Sequence, residues 1–230
     1  MLLLFDIDGT LLLRASEQHR RALLAALSEV YGLSDPGAHR VAAAGRTDSQ
    51  IARDIALACG VARERFDSLL PEFIGRCTEI YARECPADLA AYVAPGVAEL
   101  LVALACNESV KLSLLTGNYE PIARLKLARA GIGHHFPPGQ GAFGSDAEQR
   151  ELLGPIARSR AGSAGNPYPR DKTTIIGDTP LDIACARADG LNVIAIATGP
   201  YHADALHEAD AVVTDAAALQ ALLLKRDLVR

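Results

Sequence analysis

Short apolar runs alternate along the chain with longer segments whose apolar residues recur at helical spacing. The runs that predict strands are 2–7, 110–115, 173–176, 191–197 and 211–213. These runs are continuously apolar, which is typical of parallel strands that helices cover on both faces. The pattern therefore predicts an α/β fold, with a Rossmann-like, mostly parallel sheet and helices on both of its faces.

The long segment between the first two predicted strands carries helical signals and no strand pattern. Apolar residues recur at helical spacing in 16–31 and 66–84, and Thr47 to Gln50 is a capping-box sequence. A crossover between parallel strands needs only one helix. We therefore predict an inserted all-helical subdomain, called the cap below. The predicted domains are an α/β core at 1–15 and 93–230 and a helical cap at 16–92.

Composition and charge narrow the class of protein. Half of the 230 residues are apolar and 22% are charged, which is ordinary for a globular protein and excludes a disordered chain. The net charge of −5, without a dense Lys/Arg block, argues against nucleic acid as a partner. No segment approaches the roughly 20 apolar residues that span a bilayer, and the start of the chain does not read as a signal peptide.

The five cysteines are odd in number and include no C-x-x-C pair. We therefore expect reduced thiols and a cytoplasmic protein. The oligomeric state stays open.

Polar residues follow three of the predicted strands, at the edge where open α/β sheets bind their ligands. The three segments are Asp6-Ile7-Asp8-Gly9-Thr10, Thr116-Gly117-Asn118 and Gly177-Asp178-Thr179-Pro180-Leu181-Asp182. We expect them to converge, because the carboxyl ends of parallel strands share one edge. Neighbouring carboxylates repel unless a cation or a shared proton compensates them. Asp6, Asp8 and Asp178 therefore favour a site for a hard divalent cation.

Each segment also has a purely structural explanation. Asp8 would form a tight turn with Gly9, and Asn118 would cap the helix that follows it. Thr179 and Asp182 fit a capping box with Pro180 at the first helical position. Asp182 is therefore expected behind a metal ligand rather than on the metal itself.

Together the three segments resemble the motifs of the haloacid dehalogenase-like hydrolase superfamily. Asp6-x-Asp8-Gly9-Thr10 matches the first motif, Thr116-Gly117-Asn118 the second, and the segment from Gly177 to Asp182 the fourth. The order and spacing agree, and the resemblance runs from Met1 to about Asp215. The family's helical cap is inserted where this chain has its helical insertion. Gly45-Arg46-Thr47-Asp48 is similar to the cap segment of phosphoglycolate phosphatase-like and β-phosphoglucomutase-like members.

The third motif departs from the family, which normally supplies a Lys ahead of the fourth-motif Asp. No Lys lies between Lys126 and Lys172, and Arg150 stands 28 residues before Asp178. Arg150 is the candidate for this role, with an exposed helical Arg as the other interpretation and Lys172 as the alternative cation. Lys126 itself, with Arg129, is expected on the solvated side of its helix.

The resemblance implies an Mg²⁺-dependent phosphatase that hydrolyses a small phosphomonoester, phosphoglycolate-like or a sugar phosphate. Asp6 would be the nucleophile that forms an aspartyl-phosphate, and Asp8 the general acid and base. Mg²⁺ would be held by Asp6, the backbone carbonyl of Asp8, and Asp178. The implied contacts to the phosphate group are Gly9, Thr10, Thr116, Gly117, Asn118 and Arg150, and Arg46 would meet the distal end of the substrate.

Three other functions are weighed against the phosphatase. Asp8 argues against a 2-haloacid dehalogenase, since a departing halide needs no proton and those relatives lack the second Asp. A β-phosphoglucomutase-like phosphotransferase has the same motifs and would require a bisphosphate activator. A non-enzymatic phospho-acceptor, similar to response-regulator receiver domains, would have roughly half this length and no large insertion.

Overall fold

The computed structural model of the protein describes residues 1–163 and 165–227. Within them a parallel six-stranded sheet has the order β3-β2-β1-β4-β5-β6. The strands are β1 (Leu2–Phe5), β2 (Lys111–Thr116), β3 (Ala142–Phe143), β4 (Thr173–Gly177), β5 (Asn192–Ile196) and β6 (Ala211–Val213). This sheet, together with the helices below, confirms the predicted α/β fold.

Continuous apolarity arises in β1 because both of its faces are buried. Leu2 and Leu4 belong to one hydrophobic cluster, and Leu3 and Phe5 belong to a second cluster on the opposite face. Side chains of a strand alternate between faces, so a strand covered on both sides must be apolar at every position. The two-residue β3 was not predicted, since so short a segment carries no periodicity.

Eight α-helices flank the sheet or lie between its strands in the described residues. They are α1 (Glu17–Tyr31), α2 (Asp48–Ala58), α3 (Arg63–Glu84), α4 (Val97–Ala105), α5 (Glu120–Arg129), α6 (Leu153–Ala161), α7 (Pro180–Asp189) and α8 (Ala216–Asp227). None of the helices that the structure describes is long and apolar enough to cross a membrane.

The helices α1, α2 and α3 occupy the region predicted to be the cap. Helix α1 ends at Gly32, whose φ of 73° is the left-handed conformation that glycine adopts without strain. Helix α1 packs along α3, and an aromatic cluster joins them: the ring of Tyr31 stacks on Phe66 with centroids 5.3 Å apart, and lies 5.8 Å from that of Phe73. These contacts give α1 and α3 a shared apolar core.

The first turn of α2 rests directly on the edge of the sheet. The predicted capping box of Thr47 and Gln50 is present. The amide of Asp48 donates to the carbonyl of Gly117 at 2.9 Å, and the Thr47 hydroxyl donates to the carbonyl of Glu148 at 2.6 Å. The cap therefore contacts the loop that follows β2.

Candidate active site

A cavity of about 1030 Å³ opens where β1, β2 and β4 end, between the sheet and helices α1 and α2. It is lined by residues from all three of the polar segments singled out in the sequence. The predicted site residues on its wall are Asp6, Asp8, Gly9, Arg46, Gly117, Asn118, Arg150 and Asp178. The structure thus brings together side chains that are distant in sequence.

Asp6 directly follows β1 and is held in the sheet by its backbone. Its amide donates to the carbonyl of Ile176 at 2.9 Å, and its Oδ1 accepts from the amide of Ile7 at 2.8 Å. Oδ2 lies 3.1 Å from the guanidinium of Arg150. Burial raises the pKa of Asp6 to about 6, although Arg150 opposes the rise. The carboxyl group is therefore fixed in place at the floor of the cavity.

Asp178 is a buried carboxyl group of the site with an oxygen that has no hydrogen-bond partner. Its Oδ1 accepts from the Thr10 hydroxyl at 2.8 Å, whereas its Oδ2 is buried and has no hydrogen-bond partner. Glycine surrounds that oxygen, because an added Cβ would stand 2.2 Å from it at Gly9 and 1.7 Å at Gly199. Burial and the nearby charge of Asp6 raise the pKa of Asp178 to about 8. A buried oxygen in this state needs a proton or a cation.

The donor set fits a hard divalent cation such as Mg²⁺. One carboxylate oxygen each from Asp6, Asp178 and Asp182 lie within 4.8 Å of one another. Oxygen donors of this type suit Mg²⁺, and a cation there would supply the unpaired Oδ2 with its missing partner. Asp6 and Asp178 are the two whose side chains also face the cavity.

Asp182 is already committed to other groups. Its Oδ2 accepts from the backbone amide of Thr179 at 3.0 Å and from its hydroxyl at 2.7 Å, forming the predicted capping box of α7. Its Oδ1 forms an ion pair with Arg150. Asp182 therefore stabilises the start of α7 and orients Arg150.

Arg150 is buried in the site, with 3% of its side chain exposed, so it is not the exposed helical residue of the alternative interpretation. It contacts Asp6 and Asp182 and lines the cavity, while its Nε is buried without a partner. Burial alone would lower its pKa, but the two carboxylates raise it. Lys172, the alternative cation, is exposed before β4 and does not line the cavity. The described structure thus places the cation of Arg150, and not that of Lys172, beside Asp6.

Lys126 lies in the site, and its predicted position on the solvated side of a helix is wrong. Its side chain is fully buried, and Nζ donates to Oδ2 of Asp8 at 2.6 Å and to Oδ1 of Asn118 at 2.7 Å. Arg129 is half-buried and donates to the carbonyl of Ala82 at 3.0 Å. Burial would raise the pKa of Asp8, but the charge of Lys126 and the hydrogen bonds from Lys126 and Asn118 lower it below its usual value.

Asn118 and Thr116 do not have the structural roles that a simple helix start would give them. Helix α5 begins after Tyr119 without a side-chain cap, so Asn118 is not its N-cap. The side-chain amide Nδ2 of Asn118 donates to Oδ2 of Asp8 and to Oγ1 of Thr116, both at 2.9 Å. The Thr116 hydroxyl also bonds to Asp6 and lowers its pKa. Thr116 is completely buried.

Two predicted substrate contacts are engaged elsewhere. Thr10 does not line the cavity, because its hydroxyl is used by the buried carboxylate of Asp178. Arg46 lines the cavity, but its guanidinium is 2.6 Å from Oδ2 of Asp54 and donates to the carbonyl of Ala42. The hydroxyl of Thr10 is therefore held by Asp178, and the charge of Arg46 is paired with that of Asp54.

Sequence reasoning missed Lys126, His19 and Gly199, and for two of them a signal was present. Lys126 interrupts the buried stripe of α5 formed by Ile122, Ala123 and Leu127, and His19 precedes the buried stripe of α1 by one turn. A basic residue within an apolar stripe, close to polar strand ends, indicates a buried partner. Gly199 carries no such signal, because it matters through its close approach to Asp178, a residue distant in sequence.

A fixed carboxyl group at a strand end, an unpaired buried carboxylate and a buried arginine around one cavity are typical of enzymes that act on anionic substrates with a divalent cation. The sequence pattern of the haloacid dehalogenase-like hydrolases matches residues 3–187, so the chain belongs to that family. The chain matches none of the curated proteins.

Solved structures of similar fold include several enzymes. A hydrolase from Pseudomonas syringae is 20% identical, with a TM-score of 0.65 and 98% of each chain covered. A protein from Bacteroides vulgatus, provisionally described as a β-phosphoglucomutase, is 21% identical, with a TM-score of 0.64, and 95% of this chain and 85% of that chain are covered. CbbY from Rhodobacter sphaeroides, solved with phosphate, is 17% identical, with a TM-score of 0.63 and 95% of each chain covered. At these identities the likeness establishes the fold.

Proposed function

We propose that the protein is an Mg²⁺-dependent phosphatase that hydrolyses a small phosphomonoester through an aspartyl-phosphate on Asp6. The observation that carries the proposal is the arrangement at the floor of the cavity. The carboxyl group of Asp6 has Arg150 on one side, at 3.1 Å, and the unpaired Oδ2 of Asp178 in the same acidic cluster. This arrangement combines a nucleophile, a cation for the phosphate oxygens and a position for a metal.

In the first step an oxygen of Asp6 attacks phosphorus, and the bond between phosphorus and the ester oxygen breaks. Charge in such a transition state spreads over the equatorial phosphate oxygens, so fixed donors and cations stabilise it. Arg150 is suited to this task because its Nε is buried without a partner. Gly117 and Asn118 line the same cavity and would offer backbone amides.

Asp8 would move the proton in both steps. It first gives a proton to the departing ester oxygen, then takes one from the water that attacks the aspartyl-phosphate and releases inorganic phosphate. Its carboxyl group lines the cavity and is 27% exposed, so substrate and water can reach it.

Mg²⁺ would be held by Asp6 and Asp178, with the backbone carbonyl of Asp8 as a further ligand. When bound, it would offset the repulsion between the anionic phosphate and the carboxylates. Burial raises the pKa values of Asp6 and Asp178, and neighbouring carboxylates add to the rise, Asp182 at Asp6 and Asp6 at Asp178. Both effects support this assignment, since a cation offsets the same unfavourable charge.

The substrate class is a small metabolite with a second polar or anionic group. The outer wall of the cavity carries Arg14, Arg40 and Arg46, and the cation of Arg46 is paired with Asp54. Phosphoglycolate-like compounds and sugar phosphates fit within the volume of the cavity, and their anionic groups suit this charge. A variant of CbbY from Rhodobacter sphaeroides was solved with xylulose-1,5-bisphosphate, a sugar that carries two phosphate groups.

The test is phosphate release from 4-nitrophenyl phosphate by wild type and Asp6→Asn, each with Mg²⁺ and with EDTA. We expect release that needs Mg²⁺ and disappears in the variant, because loss of covalent catalysis costs several powers of ten. Activity above about 1% of wild type in folded Asp6→Asn would remove Asp6 as the nucleophile. Turnover without an added sugar bisphosphate distinguishes a phosphatase from a mutase.

A further inference from the structure

The fully buried ammonium of Lys126 has all of its partners within the protein. Its Nζ lies 2.6 and 2.9 Å from the two carboxylate oxygens of Asp8, 2.7 Å from Oδ1 of Asn118 and 3.2 Å from Nδ1 of His19. An ammonium has three N–H donors and no acceptor. Three partner groups therefore use every donor, and Lys126 itself does not line the cavity. Lys126 is thus unsuited to bind the substrate directly.

Stability alone does not explain a charge at this position. Lys126 stands within the buried stripe of α5, between Ala123 and Leu127, where an apolar side chain would pack without desolvating an ion. Replacing buried ion pairs by apolar residues of similar volume is often neutral or stabilising. The charge is therefore better explained by its effect on Asp8.

We propose that Lys126 is a positioning residue for Asp8, an inference that rests on the phosphatase function proposed above. The contacts from Lys126, with one from the Asn118 amide at 2.9 Å, restrict the rotamer of Asp8. A carboxyl group held in one orientation transfers its proton along a fixed path to the departing oxygen.

The same ammonium connects Asp8 with the helices that cover the cavity. Because an ammonium only donates, Nδ1 of His19 accepts and Nε2 carries the proton. Nε2 lies 3.0 Å from Oδ2 of Asp48, as an electrostatic contact rather than a directed hydrogen bond. That oxygen also accepts from the amide of Tyr119 at 2.8 Å. The orientation of Asp8 is thereby linked to α1, which carries His19, and to α2, which carries Asp48.

A comparison of two aryl phosphate substrates tests whether Lys126 positions the acid Asp8 or has only a structural role. The 4-nitrophenolate ion leaves readily without a proton, whereas the more basic phenolate of phenyl phosphate gains more from one. For Lys126→Met we expect kcat/KM for phenyl phosphate to fall about 10- to 100-fold, within the range that general acid catalysis contributes. The value for 4-nitrophenyl phosphate should change by less than about 3-fold. Lys126→Gln, which keeps a donor but no charge, should lie between Lys126→Met and wild type.

The controls use another lysine and the residue that is positioned. Lys111→Met removes an ammonium that donates to the carbonyl of Ala161 at 2.8 Å outside the cavity, and it should leave both rates unchanged. In an Asp8→Ala background, Lys126→Met should add no further loss, because the carboxyl group that it positions is gone. Circular dichroism and thermal denaturation report folding. If Lys126→Met does not fold, the comparison rests on Lys126→Gln.

Equal losses with both esters, or an additional loss in the Asp8→Ala background, would make Lys126 a structural residue and overturn the inference. Unchanged rates with both esters would overturn it as well. If wild type with Mg²⁺ hydrolyses neither ester, the proposed phosphatase function fails first and this inference fails with it. That result is distinct, because it already appears before any variant is compared.

Discussion

Replacing Asp178 by Asn should stabilise the metal-free protein, and the gain should grow with pH. Asp178 is completely buried, and its pKa rises from 3.8 to about 8 in the folded chain. A carboxyl group whose folded pKa is raised favours folding while it is protonated, and this contribution is lost as the pH rises through the folded pKa. Above pH 4 the unfolded chain ionises this group freely, whereas the folded chain must ionise it at the cost of burial.

The magnitude follows from the two pKa values. Between them, linkage lowers the free energy of unfolding by about 1.4 kcal/mol per pH unit, and the slope flattens near the folded pKa. From pH 6 to pH 8 this single group therefore removes about 2 kcal/mol. For a chain of this size, 1 kcal/mol corresponds to roughly 2–4 °C in Tm, which gives an expected loss of about 4–8 °C.

The assay is thermal denaturation in EDTA at pH 6 and pH 8, on wild type, Asp178→Asn and the exposed control Asp171→Asn. Subtracting the variant from wild type removes the contribution of the titrating groups that do not interact with Asp178. Between pH 6 and pH 8 we expect the Tm of Asp171→Asn to fall as much as that of wild type. The Tm of Asp178→Asn should fall about 4–8 °C less. Mg²⁺ should raise the Tm of wild type more at pH 8 than at pH 6, and should not do so for Asp178→Asn. Equal pH dependence in wild type and Asp178→Asn would refute this account of the buried carboxyl group.

Two further substitutions test the neighbours of the acidic cluster. Arg150→Ala should lower kcat/KM by about 10²–10³-fold, the usual loss when one stabilising donor is removed, and should destabilise the fold by about 3–5 kcal/mol because Asp6 and Asp182 lose their cation. Arg150→Lys should recover part of both, and a near-wild-type rate for Arg150→Ala would move the phosphate-binding role elsewhere. Gly199→Ala places a Cβ 1.7 Å from Oδ2 of Asp178 and should displace that carboxylate. The Mg²⁺ concentration for half-maximal activity should then rise at least about 10-fold, the usual loss when a residue that supports a metal ligand is changed. Gly75→Ala, where a Cβ meets nothing, should leave that concentration unchanged.

The fold could be predicted from sequence because its signals are local and repeated. The strand β1 is apolar on both faces, and each capping box marks where a helix begins, as at Thr47 and Thr179. The convergence of Asp6, Asp8 and Asp178 follows from the topology, since parallel strands end at one edge. The edge strand β3 has only two residues, and no local pattern marks it.

The details of the site depended on contacts between distant segments. Whether Lys126 faces solvent or Asp8 is decided by how α5 packs on the sheet and under α1, which a helical pattern does not specify. Arg46 likewise has two possible anionic partners, the side chain of Asp54 or a substrate, and in the structure it pairs with Asp54. Such choices depend on distances of a few ångströms, and these arise only once the elements are packed.

The bonds between α2 and the loops at the edge of the sheet have a consequence for the rate of product release. The amide of Asp48 bonds to Gly117, within the loop that would contact phosphate, and Arg53 pairs with Glu148 at 2.7 Å. A movement of α2 away from the sheet would break these bonds, and such gating motions commonly limit kcat. Departure of the product is thereby tied to the same loop that would grip it, so turnover should slow in viscous solvent even when the chemical step is unaffected.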